Sequence, residues 1–204
     1  DSSTSRGLGD VYKRQDYLKK LGFSKLSEEY DVIQPLALGG ITYGVSDLEL
    51  TAAYAAIADG GQYRKPVFYT KVTDSKGNVL IDNTENKATQ VFKASTASLL
   101  TNAMEDVLEK GTGVAARLDN MHAAGKTGTT NEAKDLVFAG FTPYYTAAIW
   151  ATYDTHAEFP ESDREFHKRL WAKVMNEIHE GLADMDFETS ATVQLSLIHI
   201  SEPT

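Results

Sequence analysis

The sequence predicts an α+β fold, in which an antiparallel sheet of about three main strands, with a small hairpin beside it, is covered by a C-terminal helix. Two observations predict this architecture. Helical and strand-like periodicities occupy separate stretches of the chain instead of alternating regularly, and three apolar, β-prone runs after residue 122 are followed by one amphipathic stretch. That last stretch is free to cover one face of the strands.

The first half of the chain contains clear helix and loop signals. Residues 16–23 have the pattern of the last turns of a helix, and Gly22 is a suitable stop. Residues 34–44 form a glycine-rich loop. Ser46 and Glu49 then have the spacing of a capping box, which predicts a helix that ends at Gly60-Gly61. The apolar positions of that helix are Leu50, Ala53, Tyr54 and Ile57.

A hairpin and a second helix are predicted next. Residues 67–73 and 78–81 are β-prone and flank Asp-Ser-Lys-Gly at 74–77, which has turn chemistry. Ser95 is the predicted N-cap of the following helix, and Gly111 and Gly113 close it. One apolar face is expected along that helix, made of Leu99, Leu100, Ala103, Met104, Val107 and Leu108.

The second half of the chain is predicted to form the main sheet and the helix that packs on it. Strands are predicted over 123–129, 136–142 and 146–153, the last two as an antiparallel pair joined through residues 143–145. A helix over 163–182 follows, and the nearby charges place His167 and His179 on its solvated face. Its inward residues are predicted to be Phe166, Leu170, Trp171, Val174 and Ile178.

The composition excludes several functional classes. A content of 42% hydrophobic and 24% charged residues is globular and excludes disorder from charge excess. The net charge of −9, without a basic cluster, argues against a nucleic-acid partner. The chain has no cysteine, its five histidines lack metal-ligand spacing, and no apolar run reaches 18 residues. We therefore expect no metal site, no cofactor and no transmembrane segment within this sequence.

The two ends lack the periodicity of the middle. Residues 1–15 and 195–204 are similar to translated sequencing-adapter read-through, so we interpret them as artefact, with 1–15 disordered. The alternative is a polar arm followed, at the other end, by a short β-prone segment. The predicted domain accordingly covers residues 16–188, and 189–204 form a tail.

One short segment carries the chemistry. Gly125-Lys126-Thr127 matches the end of a phosphate-binding loop, but that motif requires glycine at position 120, where this chain has asparagine, and a helix directly afterwards. The other interpretation is the Lys-Thr-Gly strand motif of penicillin-recognising serine enzymes. A β-strand edge could pair with an extended peptide, and Lys126 could attract its terminal carboxylate.

Further motifs support the second interpretation, and they occur in the order and spacing of one family. With them, residues 34–188 resemble the C-terminal half of the transpeptidase domain of class A penicillin-binding proteins, which are bifunctional peptidoglycan synthases. The motifs that carry the resemblance are Ala-Leu-Gly-Gly at 37–40, Gly-Val-Ser-Asp-Leu-Glu-Leu at 44–50, Ala-Asp-Gly-Gly at 58–61, Gly-Thr-Gly at 111–113, 124–131, and Ala-Gly-Phe-Thr-Pro at 139–143.

The resemblance implies roles for four residues of the motif. Lys126 would act in both substrate binding and catalysis, and the hydroxyls of Thr127 and Thr129 would bind the substrate carboxylate. Gly128 would let the ligand approach the backbone, and the backbone N–H of Thr129 would form half of the oxyanion hole. The implied ligands are peptidoglycan stem peptides ending in D-Ala-D-Ala, and β-lactams.

Two motifs of the family are missing from these 204 residues. No Ser-x-x-Lys and no Ser-x-Asn occurs, so the serine nucleophile and its base are absent and we expect the chain alone to be inactive. The resemblance thus implies a fragment whose parent also contains a glycosyltransferase and is anchored at the extracytoplasmic face of the bacterial membrane. The alternatives are a fragment of a serine β-lactamase or D,D-carboxypeptidase, and a non-catalytic binding module of the same fold.

Overall fold

The structure is a computed structural model that describes residues 13–31, 36 and 39–193. The loop predicted at 34–44 lies partly outside these residues, and the predicted terminal artefacts lie mostly outside them. The helices are α1 (13–20), α2 (Asp47–Ala58), α3 (Ala94–Glu109) and α4 (Phe166–Ile178). The strands are β1 (Gln62–Tyr63), β2 (Lys71–Thr73), β3 (Val79–Asp82), β4 (Thr89–Gln90), β5 (Ala124–Thr129), β6 (Asp135–Phe141) and β7 (Thr146–Thr152).

Residues 13–15, the described part of the segment expected to be disordered, begin α1. Gln15 is buried, and its side-chain amide donates to the carbonyl oxygen of Asp31 at 2.8 Å. The carboxylate of Asp31 in turn accepts from the Ser27 amide and from the amide and hydroxyl of Thr42. Burial alone would raise the pKa of Asp31, but these hydrogen bonds outweigh it and hold the pKa below its ordinary value. They tie α1 to the segment that precedes α2.

The capping box of α2 is confirmed. The Ser46 hydroxyl accepts from the Glu49 amide at 3.2 Å, and the Glu49 carboxylate accepts from the Ser46 amide at 3.1 Å and from the Ser24 amide at 3.0 Å. The helix ends, as predicted, before two glycines in the left-handed region. A side chain at Gly61 would lie 2.1 Å from the carbonyl oxygen of Phe92. Both the left-handed backbone conformation and this close contact therefore require glycine at position 61.

The N-cap of α3 differs from the prediction. The helix begins at Ala94, so its N-cap is Lys93, which makes no side-chain capping bond, and Ser95 lies inside the first turn. The predicted apolar face also differs in part, because Met104 and Leu108 are buried whereas Leu99 is 53% exposed. Residue type alone does not show which of several adjacent positions is the N-cap. That position depends on where the backbone turns after β4.

Two small antiparallel pairs lie before the main sheet. The pair β2–β3 is the predicted hairpin, and the Asp74 carboxylate stabilises its turn by accepting from the amides of Lys76 and Asn78. The pair β1–β4 was not predicted, because each strand has only two residues and no alternation can be seen over so short a length.

The main sheet has the predicted three antiparallel strands, in the order β5–β6–β7. Its register pairs Gly125 with Gly140 and Thr127 with Phe138, and Phe138 with Ile149. Phe138 is fully buried and meets Trp171 of α4 edge to face, with ring centroids 4.9 Å apart. The C-terminal helix therefore covers one face of the sheet, and α2 and α3 pack against β5, β6 and β7.

The buried side of α4 is not the predicted one. Trp171 is buried as expected, but Phe166, Leu170, Val174 and Ile178 are all between 40% and 47% exposed. The helix buries the neighbouring stripe instead, which consists of His167, Lys168, Trp171, Ala172 and Met175. Both stripes have helical spacing, so periodicity alone could not show which one faces the sheet.

His179 is also buried, contrary to the expectation of a solvated position. Its Nδ1 lies 2.6 Å from the carbonyl oxygen of Met175, which can only accept, so Nδ1 carries the proton. Nε2 lies 2.8 Å from the Thr142 hydroxyl oxygen, which also accepts from the amides of Tyr144 and Tyr145. This network joins the residue after α4 to the turn between β6 and β7.

His167 is 2% exposed, and within the described part of the chain neither of its ring nitrogens has a hydrogen-bond partner. Burial, and next the charge of Lys168, lower the pKa of His167 below 6.5, although Glu165 acts in the opposite direction. The unfolded chain therefore takes up a proton at a higher pH than the folded chain does.

We expect the His167→Leu variant to lose less stability than the unchanged chain when the pH falls from 7 to 5. Well above pH 6.5 the imidazole is neutral in both states and contributes no pH dependence; as the pH falls through 6.5, the unfolded chain takes up the proton first and is favoured. Urea unfolding at several pH values measures this. Parallel pH profiles for the two chains would show that the ring does not titrate differently on folding.

Candidate functional site

The segment 124–129 is the edge strand β5, which pairs with β6 alone among the described strands. The Thr130 amide donates to the carbonyl oxygen of Asp135 at 3.2 Å, so Thr130 is a hydrogen-bonded position. Hydrogen-bonded and non-hydrogen-bonded positions alternate along an antiparallel strand. Thr127 and Thr129 are therefore at positions that form no backbone hydrogen bonds with β6. Their N–H and C=O groups therefore point to the free edge, where an extended peptide could pair with them.

The structure brings the polar groups of Lys126 and Thr127 together at this edge. The Lys126 ammonium donates to the carbonyl oxygen of Thr127 at 3.0 Å and lies 3.4 Å from its hydroxyl oxygen. Gly128 and Thr129 follow on the same strand, and Thr129 is exposed. Positive charge, hydroxyl groups and an unpaired strand edge thus occur within four residues. This combination is suited to an extended ligand that ends in a carboxylate.

The two glycines of β5 have different surroundings. A Cβ at Gly125 would lie 2.6 Å from the Phe138 ring and 2.9 Å from the carbonyl oxygen of Ala139, so internal packing excludes a side chain there. A Cβ at Gly128 would meet only the Val137 Cβ, at an ordinary 3.5 Å. Packing therefore does not require Gly128, and the space beside it is open to a ligand.

Thr112 contacts the strand and Lys168 contacts Thr112, and neither residue was assigned a role from the sequence. The Thr112 hydroxyl oxygen lies 2.8 Å from that of Thr127. The Lys168 ammonium donates to the carbonyl oxygen of Thr112 at 2.9 Å and to the Glu165 carboxylate at 2.5 Å. The Gly-Thr-Gly spacing at 111–113 was the available signal for Thr112. For Lys168 there was none, because the contact joins residues 56 positions apart.

The connection after β5 is organised around Asp135. Its carboxylate accepts from the Trp150 indole and the Thr130 hydroxyl, and it lies 3.2 Å from Nε2 of His156. Burial would raise the pKa of Asp135, but the hydrogen bonds from His156, Trp150 and Thr130 together hold it below its ordinary value. Between these groups, Glu132 and Ala133 have φ angles of 61° and 49°. The connection therefore has a defined conformation at the end of the candidate site.

The described residues contain no group of three or more His, Asp or Glu side chains placed to hold a metal ion. Over the same residues, no helix has both the length and the apolar character that crossing a membrane requires.

An apolar cavity of about 670 Å³ lies between α1, α2 and α3 and includes no residue of β5. The residues of β5 include no serine that could attack an acyl ligand.

The chain matches a family model and several curated proteins. The model described as the penicillin binding protein transpeptidase domain matches residues 5–179. Penicillin-binding protein 4 of Bacillus subtilis (strain 168) is 39% identical over 145 residues, which are 71% of this chain and 23% of that protein. Penicillin-binding protein 1A of Clostridium perfringens (strain 13) is 36% identical over 144 residues, which are 71% of this chain and 20% of that protein. The chain spans about a fifth of the length of these relatives.

Solved structures of the same fold confirm the α+β architecture. The structure of PonA1 from Mycobacterium tuberculosis in complex with penicillin V has a TM-score of 0.70 at 23% identity, covering 84% of this chain and 50% of that one. Penicillin-binding protein 1A from Haemophilus influenzae has a TM-score of 0.67 at 19% identity, and the match covers 85% of this chain and 31% of that one. On the strength of the family model and the curated relatives, this chain belongs to the family of penicillin-binding protein transpeptidase domains.

Proposed function

We propose that β5 is the substrate-binding wall of a serine D,D-transpeptidase whose nucleophile lies outside these 204 residues. In this proposal the strand edge pairs with a stem peptide ending in D-Ala-D-Ala, or with a β-lactam. Lys126 and the hydroxyls of Thr127 and Thr129 bind its carboxylate. The observation that carries the proposal is the unpaired edge at Thr127 and Thr129 beside the Lys126 ammonium.

The reaction assigns one role to this chain, which is the same in both acyl-transfer steps. In the complete enzyme a serine oxygen attacks the carbonyl carbon of the penultimate D-Ala, and the bond to the terminal D-Ala breaks, so that D-Ala leaves as an amine. An amine of a neighbouring strand then takes over the acyl group and releases the serine. The Thr129 N–H, which points to the free edge, would stabilise the negative charge that develops on the carbonyl oxygen in both steps.

The parent protein is proposed to be a class A enzyme that also contains a glycosyltransferase and is anchored at the extracytoplasmic face of the bacterial membrane. The resemblance of residues 34–188 and the curated relatives named Penicillin-binding protein 1A support this assignment. The same relatives favour a transpeptidase over a β-lactamase or a carboxypeptidase of the same fold. Recovery of the upstream reading frame tests the assignment: it should encode Ser-x-x-Lys and a glycosyltransferase region.

The binding role can be measured with N-acetyl-D-Ala-D-Ala as the probe and amide NMR shifts as the signal. We expect the probe to shift the Thr127 and Thr129 amides, and Lys126→Met to weaken binding by about tenfold, since a charge-assisted hydrogen bond is lost. Lys110→Met is the matched control, because it removes the same charge from an exposed pair with Asp106. Equal weakening by both variants would mean that net charge, and not a site at Lys126, attracts the probe.

The chain alone is expected to form no covalent penicillin adduct, because no residue of the sequence supplies the Ser-x-x-Lys pair. Incubation with a fluorescent penicillin, followed by a denaturing gel, measures this directly. A labelled band that disappears after competition with unlabelled penicillin would reveal a nucleophile within the 204 residues and refute the expectation.

A further inference from the structure

We infer that Thr112 is a positioning residue of the carboxylate site, whose hydroxyl donates a hydrogen bond to Thr127 and thereby keeps the Thr127 proton available for the ligand. This inference rests on the proposed function of β5. It assigns a role to the Gly-Thr-Gly segment at 111–113, which lies between α3 and β5 in sequence and beside β5 in space.

The first step is the contact itself. The two hydroxyl oxygens lie 2.8 Å apart, the usual distance for an O–H···O hydrogen bond, and either could be the donor in the unliganded chain. Thr127 is partly buried and Thr112 is exposed, so Thr112 contacts a hydroxyl of the edge strand from outside that strand.

The second step fixes the direction of this bond when a carboxylate is present. A carboxylate only accepts, and Thr127 has a single hydroxyl proton, which must go to the ligand if Thr127 is to bind it. The Lys126 ammonium, 3.4 Å from the Thr127 hydroxyl oxygen, can only donate and therefore does not compete with the ligand for the Thr127 proton. Thr112 is therefore the donor to Thr127 in the bound state, and a donated bond polarises the next one in the chain.

The third step is that the segment carrying Thr112 is held rigidly. The Lys168 ammonium, whose side chain is only 8% exposed, donates to the Thr112 carbonyl oxygen and to Glu165. The Gly113 amide donates to the carbonyl oxygen of Val107 at 2.9 Å. A Cβ at Gly111 would lie 2.8 Å from the Val107 Cα, so the backbone packs directly on the end of α3. The buried ammonium and these glycines fix where the Thr112 hydroxyl lies.

The variants Thr112→Val and Thr112→Ser separate a hydroxyl role from a packing role. Valine has the shape of threonine without the donor, whereas serine keeps the donor without the methyl group. With N-acetyl-D-Ala-D-Ala as the probe, we expect Thr112→Val to raise Kd by about three- to tenfold, as for the loss of one hydrogen bond, and Thr112→Ser to bind like the unchanged chain. With the C-terminal carboxamide of the same dipeptide, the three chains should differ by less than about twofold.

The outcomes separate this inference from the proposed function. If the unchanged chain shows no shift at Thr127 and Thr129 with the dipeptide, the proposed function fails, and the inference fails with it. If the unchanged chain binds and Thr112→Val binds equally well, only the inference is overturned. Weakening by Thr112→Ser that equals or exceeds the weakening by Thr112→Val would also overturn it, because serine keeps the donor and the effect would then not follow the hydroxyl group.

Discussion

The Phe138→Ala variant is expected to lose about 3–5 kcal/mol of unfolding free energy, the usual cost of deleting a fully buried phenylalanine. Phe138 is 0% exposed and lies in the centre of β6. Its ring packs edge to face on Trp171, in a cluster that also contains Leu108 and Met175. Removing the ring would leave a cavity between the sheet and α4, which neither element can close without losing its other contacts.

Urea unfolding followed by circular dichroism measures this loss. Leu99→Ala is the matched control, because Leu99 lies on the outer side of α3 with 53% of its surface exposed, and its replacement should change the free energy by less than about 0.5 kcal/mol. Similar losses for the two variants would contradict the packing of α4 on the sheet.

A second large effect is expected from Gly125→Ala. The added methyl group would overlap the Phe138 ring and the backbone of Ala139, and backbone cannot move without disturbing the pairing of β5 with β6. We expect a loss of about 1–3 kcal/mol, as is usual for overpacking. Gly140, the register partner of Gly125, should behave in the same way, since its Cβ would lie 2.8 Å from the Trp171 ring.

Gly128→Ala is the control on the same strand. Its methyl group would meet only the Val137 Cβ at 3.5 Å, so the free energy of unfolding should change by less than about 0.5 kcal/mol. The same variant should nevertheless weaken binding of N-acetyl-D-Ala-D-Ala, because the methyl group occupies the open space beside the strand edge. Strong destabilisation by Gly128→Ala would show that this glycine has a packing role instead.

Several elements were predictable because their signals are local. The capping box at Ser46 and Glu49 depends on groups three residues apart, and the turn at 74–77 depends on one aspartate that satisfies nearby amides. The strands of the main sheet were predictable because their apolar runs are separated by short turns. Lys126 and Thr127 were predictable as a pair because neighbouring residues on one strand remain close in any fold that keeps it extended.

The errors arose where several elements compete for the same contacts. Two adjacent stripes of α4 share Trp171, and the structure buries the one that also contains His167 and Lys168. Charge near a histidine suggested solvent, yet His179 is buried because Thr142 and Met175 satisfy both ring nitrogens. Such partners lie up to 37 residues away and leave no local pattern.

The amino-acid sequence by itself determined the fold class and the strand that carries the candidate site, because both depend on local patterns, and its resemblance to a family indicated the four residues proposed to act there. Only the tertiary structure decided which edge of β5 is open, which glycine is free of packing, and that Thr112 contacts Thr127 while Lys168 contacts Thr112. The physical reason is that these features depend on contacts between distant segments, whose free energies are settled together when the sheet, α3 and α4 pack.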